Sequence, residues 1–270
     1  MGIGSQLVQI AGSSVLLTGA TGGIGHAIAR ALHARGATLT LTGRRAEVLE
    51  PLAAQLGARA LAADLSDRVE VERLLDGADT VDILVANAAL PASGRLESFS
   101  VQEIDRALEV NLRAPIVLAR ALLPGMLERG RGHLLFVSSL AGKAPAPGAS
   151  IYAASKAGLR AFTAGLRADL HGSGVGASTI LPGFIRDAGI FADAHVELPS
   201  GVGTRTPEDV ARAVFTAIER NRGEVDVAPL GLRIGAMFAG LAPGLATSVS
   251  RRMGSDDIAR RIVVGQRDKR

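Results

Sequence analysis

At 270 residues the chain could form one large domain or two small ones, and 47% hydrophobic with 21% charged residues suits a soluble globular protein with a sizeable core. The absence of cysteine excludes a disulfide framework, a thiolate nucleophile and a Cys-ligated metal, which fits a cytoplasmic protein, and 3% aromatic residues argues against a base-stacking nucleic-acid module. The net charge of +4 rests mostly on arginine and gathers late, at Arg251, Arg252, Arg260, Arg261, Arg267, Lys269 and Arg270, which reads first as a solvated tail.

Met1–Ser14 has no basic start followed by an apolar run, so no signal peptide is expected, and Gln6 stands where a myristoylation signal needs Ser or Thr. From there short apolar runs alternate with longer helical patterns. Ser14–Thr18, Ala37–Thr42, Arg59–Ala62, Val81–Ala86, Gly132–Ser138, Val175–Leu181 and Glu224–Ala228 read as strands. Several are apolar throughout, as in a parallel sheet covered on both faces. Ile24–Arg35, Ala46–Leu56, Arg68–Leu75, Val101–Glu128, Ile151–His171 and Pro207–Arg222 read as helices, the last opening on proline and two acids. No Gly/Ser/Pro linker or repeat interrupts the series. The pattern predicts one doubly wound, Rossmann-type α/β domain over residues 1–229, mostly parallel and seven-stranded, with 230–270 as an extension.

Ligands of such sheets bind beyond the carboxyl ends of the strands. After the first strand comes Thr18-Gly19-Ala20-Thr21-Gly22-Gly23-Ile24-Gly25, running straight into a helix. Glycines there let backbone approach a pyrophosphate, and a helix N-terminus offers free N–H groups and partial positive charge. Much later the only tyrosine, Tyr152, stands four residues before Lys156, one of three lysines. On a helix the two share a face, and an ammonium beside a phenol would pull its pKa down from ~10 toward the range of a general acid/base.

These two motifs, in this order and some 130 residues apart, resemble the short-chain dehydrogenase/reductase family in its commonest branch of roughly 250-residue enzymes. The resemblance covers about residues 12 to 228. It implies a catalytic set of Asn111, Ser139, Tyr152 and Lys156. In this set Ser139, thirteen residues before Tyr152, hydrogen-bonds the substrate oxygen, with Ser138 as a competing candidate. Asn111 holds a helix kink and a relay water, and Lys156 binds the nicotinamide ribose while depressing the Tyr152 pKa. Tyr152 gives a proton to a carbonyl oxygen as hydride arrives at carbon, or takes it from an alcohol. The implied cofactor contacts are Gly19, Thr21, Gly22, Gly23, Ile24 and Gly25 at the phosphates, Asp64 and Leu65 at adenine, and Asn87 and Ala88 at the adenosine ribose. Tyr152, Lys156, Pro182, Gly183 and Ile185 serve the nicotinamide end, and no metal is implied.

The second strand ends Leu41-Thr42-Gly43-Arg44-Arg45, without the acid that binds both ribose hydroxyls of NAD. Arg44 can pair with a 2′-phosphate and Arg45 adds charge, so NADP(H) is expected, with NAD(H) as the alternative. The chain departs from the family pattern at Ala89, where glycine is usual, and at Asp187, which fills the place of a threonine that grips the nicotinamide amide. Substrate loops are expected at 90–94, 140–150 and 184–205. Their candidate lining is mostly apolar: Leu90, Pro91, Leu140, Phe184, Ile185, Ile190 and Phe191, with Arg95, Arg186 and Arg205 nearby. That predicts a lipophilic small-molecule carbonyl or alcohol. A cofactor-binding regulator without turnover is the rival reading. The family commonly forms dimers or tetramers through the helices carrying Asn111 and Tyr152, so a homodimer or homotetramer is expected. The uncharged run Ile234–Val249 leaves three readings open: a flap at the substrate entrance, an oligomer contact, or a peripheral membrane patch.

Overall fold

The computed structural model describes residues 8–192 and 202–241. Its seven strands are β1 (Ser14–Thr18), β2 (Thr38–Gly43), β3 (Arg59–Ala62), β4 (Ile83–Ala86), β5 (Gly132–Val137), β6 (Val175–Pro182) and β7 (Glu224–Val227). They form one sheet in the order β3-β2-β1-β4-β5-β6-β7, with every pairing parallel. The expected fold is therefore present. The order reverses between β1 and β4, which places the ligand crevice at the carboxyl ends of those strands.

Alternation along each buried strand divides the core into two layers. Val15, Leu17, Ile83, Val85 and Leu135 point to one face. There they meet α1 (Gly23–His33), α2 (Ala46–Gln55) and α8 (Pro207–Glu219) through residues such as Ile28, Leu49 and Val214. Leu16, Leu84, Leu134 and Phe136 point to the other face. They meet α3 (Arg68–Gly77), α5 (Ala114–Glu128) and α6 (Ser150–Asp169) through Val71, Leu118 and Leu159. Each fully buried Leu or Phe contributes about 1.5–3 kcal/mol relative to exposure, so the two layers carry most of the drive to fold.

The helix starts are set locally. Ser100 and Glu103 form a capping box before α4 (Val101–Leu108), and Thr206 and Asp209 form another before α8, where Pro207 occupies the first turn. The expected continuous helix over 101–128 is interrupted by a π-helical turn at Glu109–Arg113. Two elements were not anticipated: the short helix α7 (Gly189–Ala192) and the helix α9 (Leu230–Leu241). α9 rests on Leu140, Leu181 and Ala228 through Leu232 and Ala236, and exposes Leu230, Ile234, Met237 and Phe238. Residues 1–7, 193–201 and 242–270, with the basic tail and most of the 234–249 run, lie outside the described residues, as does the side chain of Ile190.

Candidate active site

The glycines of the first crossover do separate jobs. Gly19 has φ +67° and passes so close to the β4 loop that a Cβ would lie 2.7 Å from the Ala88 Cα. Gly25 packs helix against turn, since a Cβ would strike the Gly19 carbonyl. Gly22 and Gly23 are exposed, and nothing lies within 3.5 Å of a Cβ placed on Gly22. Gly22 is also the N-cap of α1, which has no side-chain cap and no acid in its first turn. Thr21 is seated against Gly43, where a Cβ would lie 2.8 Å from its methyl, and Ile24 touches the Gly189 position. An uncapped, acid-free helix start behind an open glycine matches what a pyrophosphate requires.

The β2 arginines divide their work. Arg45 donates to the Thr21 carbonyl at 2.7 Å and so clasps the glycine turn. Arg44 makes no hydrogen bond or ion pair among the described residues, and it lines a cleft of about 630 Å³ with Asp64, Glu70 and Arg73. Asp64 accepts from the Ser66 backbone and hydroxyl at 2.9 and 2.8 Å and faces Arg106 at 3.5 Å. Burial alone would raise its pKa, but the bonds from Ser66 and the charges of Arg44 and Arg106 hold it below the usual carboxylate value. Its neighbour Leu65 is buried in the core. Glu70, Arg73 and Arg106 were not singled out from the sequence, because their relevance comes only from the approach of α3 and α4 to the strand ends, whereas Ser66 is a local partner two residues after Asp64.

Asn87 ties β4 to β1. Its amide donates to the carbonyls of Thr18 and Gly19 at 3.1 and 3.2 Å, and the Asn87 and Ala88 N–H groups share the Thr18 hydroxyl at 3.0 Å each. Asn111 sits inside the π turn, 1% exposed, and grips Leu90 from both sides. Its Oδ1 accepts from the Leu90 N–H at 2.7 Å and its Nδ2 donates to the Leu90 carbonyl at 2.9 Å. Asn111, expected to hold a helix kink, thus lies within the helix irregularity, and π turns are frequent at functional sites.

Ser139, Tyr152 and Lys156 converge at the end of β5. The two serines differ in their surroundings: Ser138 is buried and its hydroxyl donates to the Lys156 carbonyl at 2.8 Å, whereas Ser139 is half-buried and its side chain acts on the Tyr152 phenol. Ser139 also accepts from the Ala141 N–H at 3.1 Å and donates weakly to the Pro182 carbonyl at 3.4 Å. The Tyr152 ring packs beside Ala92, Ala107 and Ile151, and farther along α6 Leu159, Phe162, Leu166 and Leu170 join the core as their spacing predicts. Lys156 is 1% exposed, donates to the Val137 carbonyl at 3.0 Å, and has its ammonium 5.7 Å from the Tyr152 ring centre.

One electrostatic expectation needs correction. Burial pushes the Tyr152 phenol up to about 12, with the Ser139 hydrogen bond pulling only partly the other way, and burial brings Lys156 down to about 8. Removal from water thus outweighs the expected lowering of the phenol by its lysine neighbour. The phenol is the resting form at neutral pH.

The β6 loop also corrects the sequence reading. Gly183 fits between Leu140 and Ala228, and Ile185 is buried and bridges to Arg205. Asp187 adopts φ +67°, and its side chain is 72% exposed and paired with Arg186 at 3.4 Å. Ala188 turns inward, 2.5 Å from where a Cβ on Gly23 would stand. Of the expected substrate lining, Leu90, Leu140 and Ile185 are packed into the core. Pro91, Phe184 and Phe191 remain half-buried, and the two phenyl rings lie 4.9 Å apart. Arg95, Arg186 and Arg205 are exposed.

The family model described as short chain dehydrogenase matches residues 13–195. The chain belongs to the short-chain dehydrogenase family. Among similar proteins of this family is the ketoacyl reductase HetN of a Nostoc species, 36% identical over 230 residues, covering 82% of this chain and 80% of HetN. A crystal structure of a putative betaketoacyl-ACP reductase superposes with a TM-score of 0.76 at 31% identity, covering 83% of this chain and all of that one. A short-chain dehydrogenase from Sphingobium yanoikuyae in complex with NADPH gives 0.74 at 30%, covering 86% and 94%. Membership makes the protein an oxidoreductase on a Rossmann-like fold.

Proposed function

We propose that the protein is an NADP(H)-dependent reductase of a carbonyl on an apolar small molecule, running as an alcohol dehydrogenase in reverse. The observation that carries this reading is the buried Lys156, its ammonium tied to the Val137 carbonyl and 5.7 Å from the Tyr152 ring centre, at the end of β5 that leads into Ser139, on a sheet whose first crossover is an uncapped glycine turn. When bound, the nicotinamide supplies the hydride. On this reading the Ser139 and Tyr152 hydroxyls turn to a carbonyl oxygen bound between them and stabilise its developing negative charge. Tyr152 then transfers its proton to that oxygen, and the cation at Lys156 favours the phenolate left behind. Because the resting phenol is already protonated, reduction has its acid ready at neutral pH, whereas oxidation needs the scarce phenolate. Asn111 serves by fixing the Leu90 backbone at the rim.

NADP(H) is favoured over NAD(H) because Arg44, at the end of β2, has no hydrogen bond or ion pair among the described residues and no acid stands in its place to repel a phosphate. The Sphingobium relative that binds NADPH agrees with this choice. Replacing Arg44→Ala should weaken NADPH binding about 10- to 100-fold, the worth of a charge-assisted hydrogen bond, while leaving NADH affinity nearly unchanged. Fluorescence titration with both dinucleotides checks this, and equal losses would remove Arg44 as the discriminator.

The half-buried Phe184 and Phe191 and the apolar α9 beside the Ser139 turn favour a lipophilic substrate. The ketoacyl reductases among the relatives make 3-ketoacyl thioesters the first class to assay. The test is a panel of ketoacyl thioesters, ketones and aldehydes followed at the NADPH absorbance. No oxidation of NADPH with any of them would leave a cofactor-binding regulator as the better reading. We also propose a homodimer or homotetramer through the outer faces of α5 and α6.

A further inference from the structure

A cluster of charges lies behind the serine turn. Ser139 starts a 3-10 turn at Leu140–Gly142, and Lys143 closes it, donating its N–H to the Leu140 carbonyl at 2.9 Å. The Lys143 side chain is 11% exposed and does not face solvent. Its ammonium meets Glu224 at 2.6 Å and Asp226 at 2.7 Å, both on β7. Glu224 also pairs with Arg160 of α6 at 2.5 Å, one helical turn beyond Lys156, and Asp226 faces Arg233 of α9 at 3.8 Å. Gly142 presses the same turn onto α6, for a Cβ there would lie 2.9 Å from the Lys156 carbonyl.

Partly buried ion pairs add little net stability, since desolvation offsets most of the attraction, but they do specify one arrangement over others. This cluster joins the elements that carry Ser139, Tyr152 and Lys156 to the last strand and to α9. We propose that Lys143, held by Glu224 and Asp226, is a positioning residue that sets the Ser139 turn against α6, where Tyr152 and Lys156 stand. The ammonium is anchored on the rigid sheet edge, so the turn cannot slide along α6 without breaking two ion pairs. The inference rests on the reductase reading for its kinetic consequence but not for its structural one.

The test uses the full chain with Lys143→Met and Lys143→Arg. Because the chain has one tyrosine, labelling tyrosine at Cζ gives a single magnetic-resonance signal that reports the Tyr152 hydroxyl directly. In Lys143→Met that signal should move and kcat on the carbonyl substrate should fall about tenfold, the worth of one hydrogen bond, with NADPH affinity unchanged. Lys143→Arg should restore most of both. An unmoved signal with unchanged kcat would overturn the proposal, and so would a kcat loss matched by an equal loss of NADPH affinity. If Lys143→Met does not fold by circular dichroism, Asp226→Asn, which leaves Glu224 in place, is judged by the same outcomes. If the unaltered chain reduces no substrate, the reductase reading fails and the resonance alone decides the positioning role.

Discussion

Tyr152→Phe should lower turnover about a thousandfold, within the range that a positioned proton donor contributes, while leaving the fold and NADPH affinity intact. Phenylalanine keeps the ring's packing against the cluster of Ala92, Ala107 and Ile151, so no cavity opens. The loss falls on one oxygen, the group that both binds the substrate carbonyl and protonates it. Steady-state kinetics beside a cofactor titration separates these effects: kcat should fall and the NADPH dissociation constant should not. The direction of the pKa shift adds a second signature. With the phenol at about 12 and Lys156 at about 8, reduction in the unaltered enzyme should hold or rise as pH falls through 8 to neutrality, whereas alcohol oxidation should accelerate as pH rises. Turnover that survives Tyr152→Phe would exclude the mechanism, and an oxidation rate flat with pH would exclude tyrosine as its base.

The features legible in the sequence are those whose physics is local. Strand ends at Thr18, Ala62 and Ala86 follow from apolar runs closed by turn residues, and the α8 start from Thr206-Pro207-Glu208-Asp209. The glycine turn was readable because backbone approach demands glycine, and Tyr152–Lys156 because four residues make one helical turn. What the sequence hid depends on long-range approach. Leu90, Leu140 and Ile185 look like pocket lining on loops, yet the loops fold inward and the core takes those side chains. Arg73 and Arg106 come near Arg44 and Asp64 only through helix packing. The Tyr152 pKa goes up because burial outweighs a neighbouring charge, a balance that spacing alone does not reveal. Lys143 sits in a loop where a solvated lysine would be the ordinary expectation, and its partners are 81 and 83 residues away on β7.

Acid should destabilise the protein through a histidine that takes no part in catalysis. His133, near the start of β5, is buried, and burial together with the charge of Arg167 brings its pKa down to about 3. The Ser178 hydroxyl donates to the Arg222 carbonyl at 2.6 Å, so at 2.8 Å from His133 it accepts from an Nε2–H, which fits a neutral ring. Unfolded, the ring takes up a proton below about pH 6.5, while the folded ring does not until about 3. Between those values the unfolded state binds more protons, so stability is full above 6.5 and declines as pH falls, by about 1.4 kcal/mol per unit and about 2 kcal/mol by pH 5. The carboxylates held low, Asp64, Asp209 and Glu224, lose their contributions only at more acid pH, which leaves the interval from 6.5 to 5 to the histidines. His26 is shifted in the same direction by burial, Arg30 and Arg45, and so belongs in the baseline. Urea unfolding of the unaltered chain and of His133→Gln at pH 7.5 and 5 isolates the His133 share. The substitution should cost stability at 7.5 and reduce the acid-dependent loss, so that the gap narrows at 5; parallel losses would show that His133 does not stay neutral.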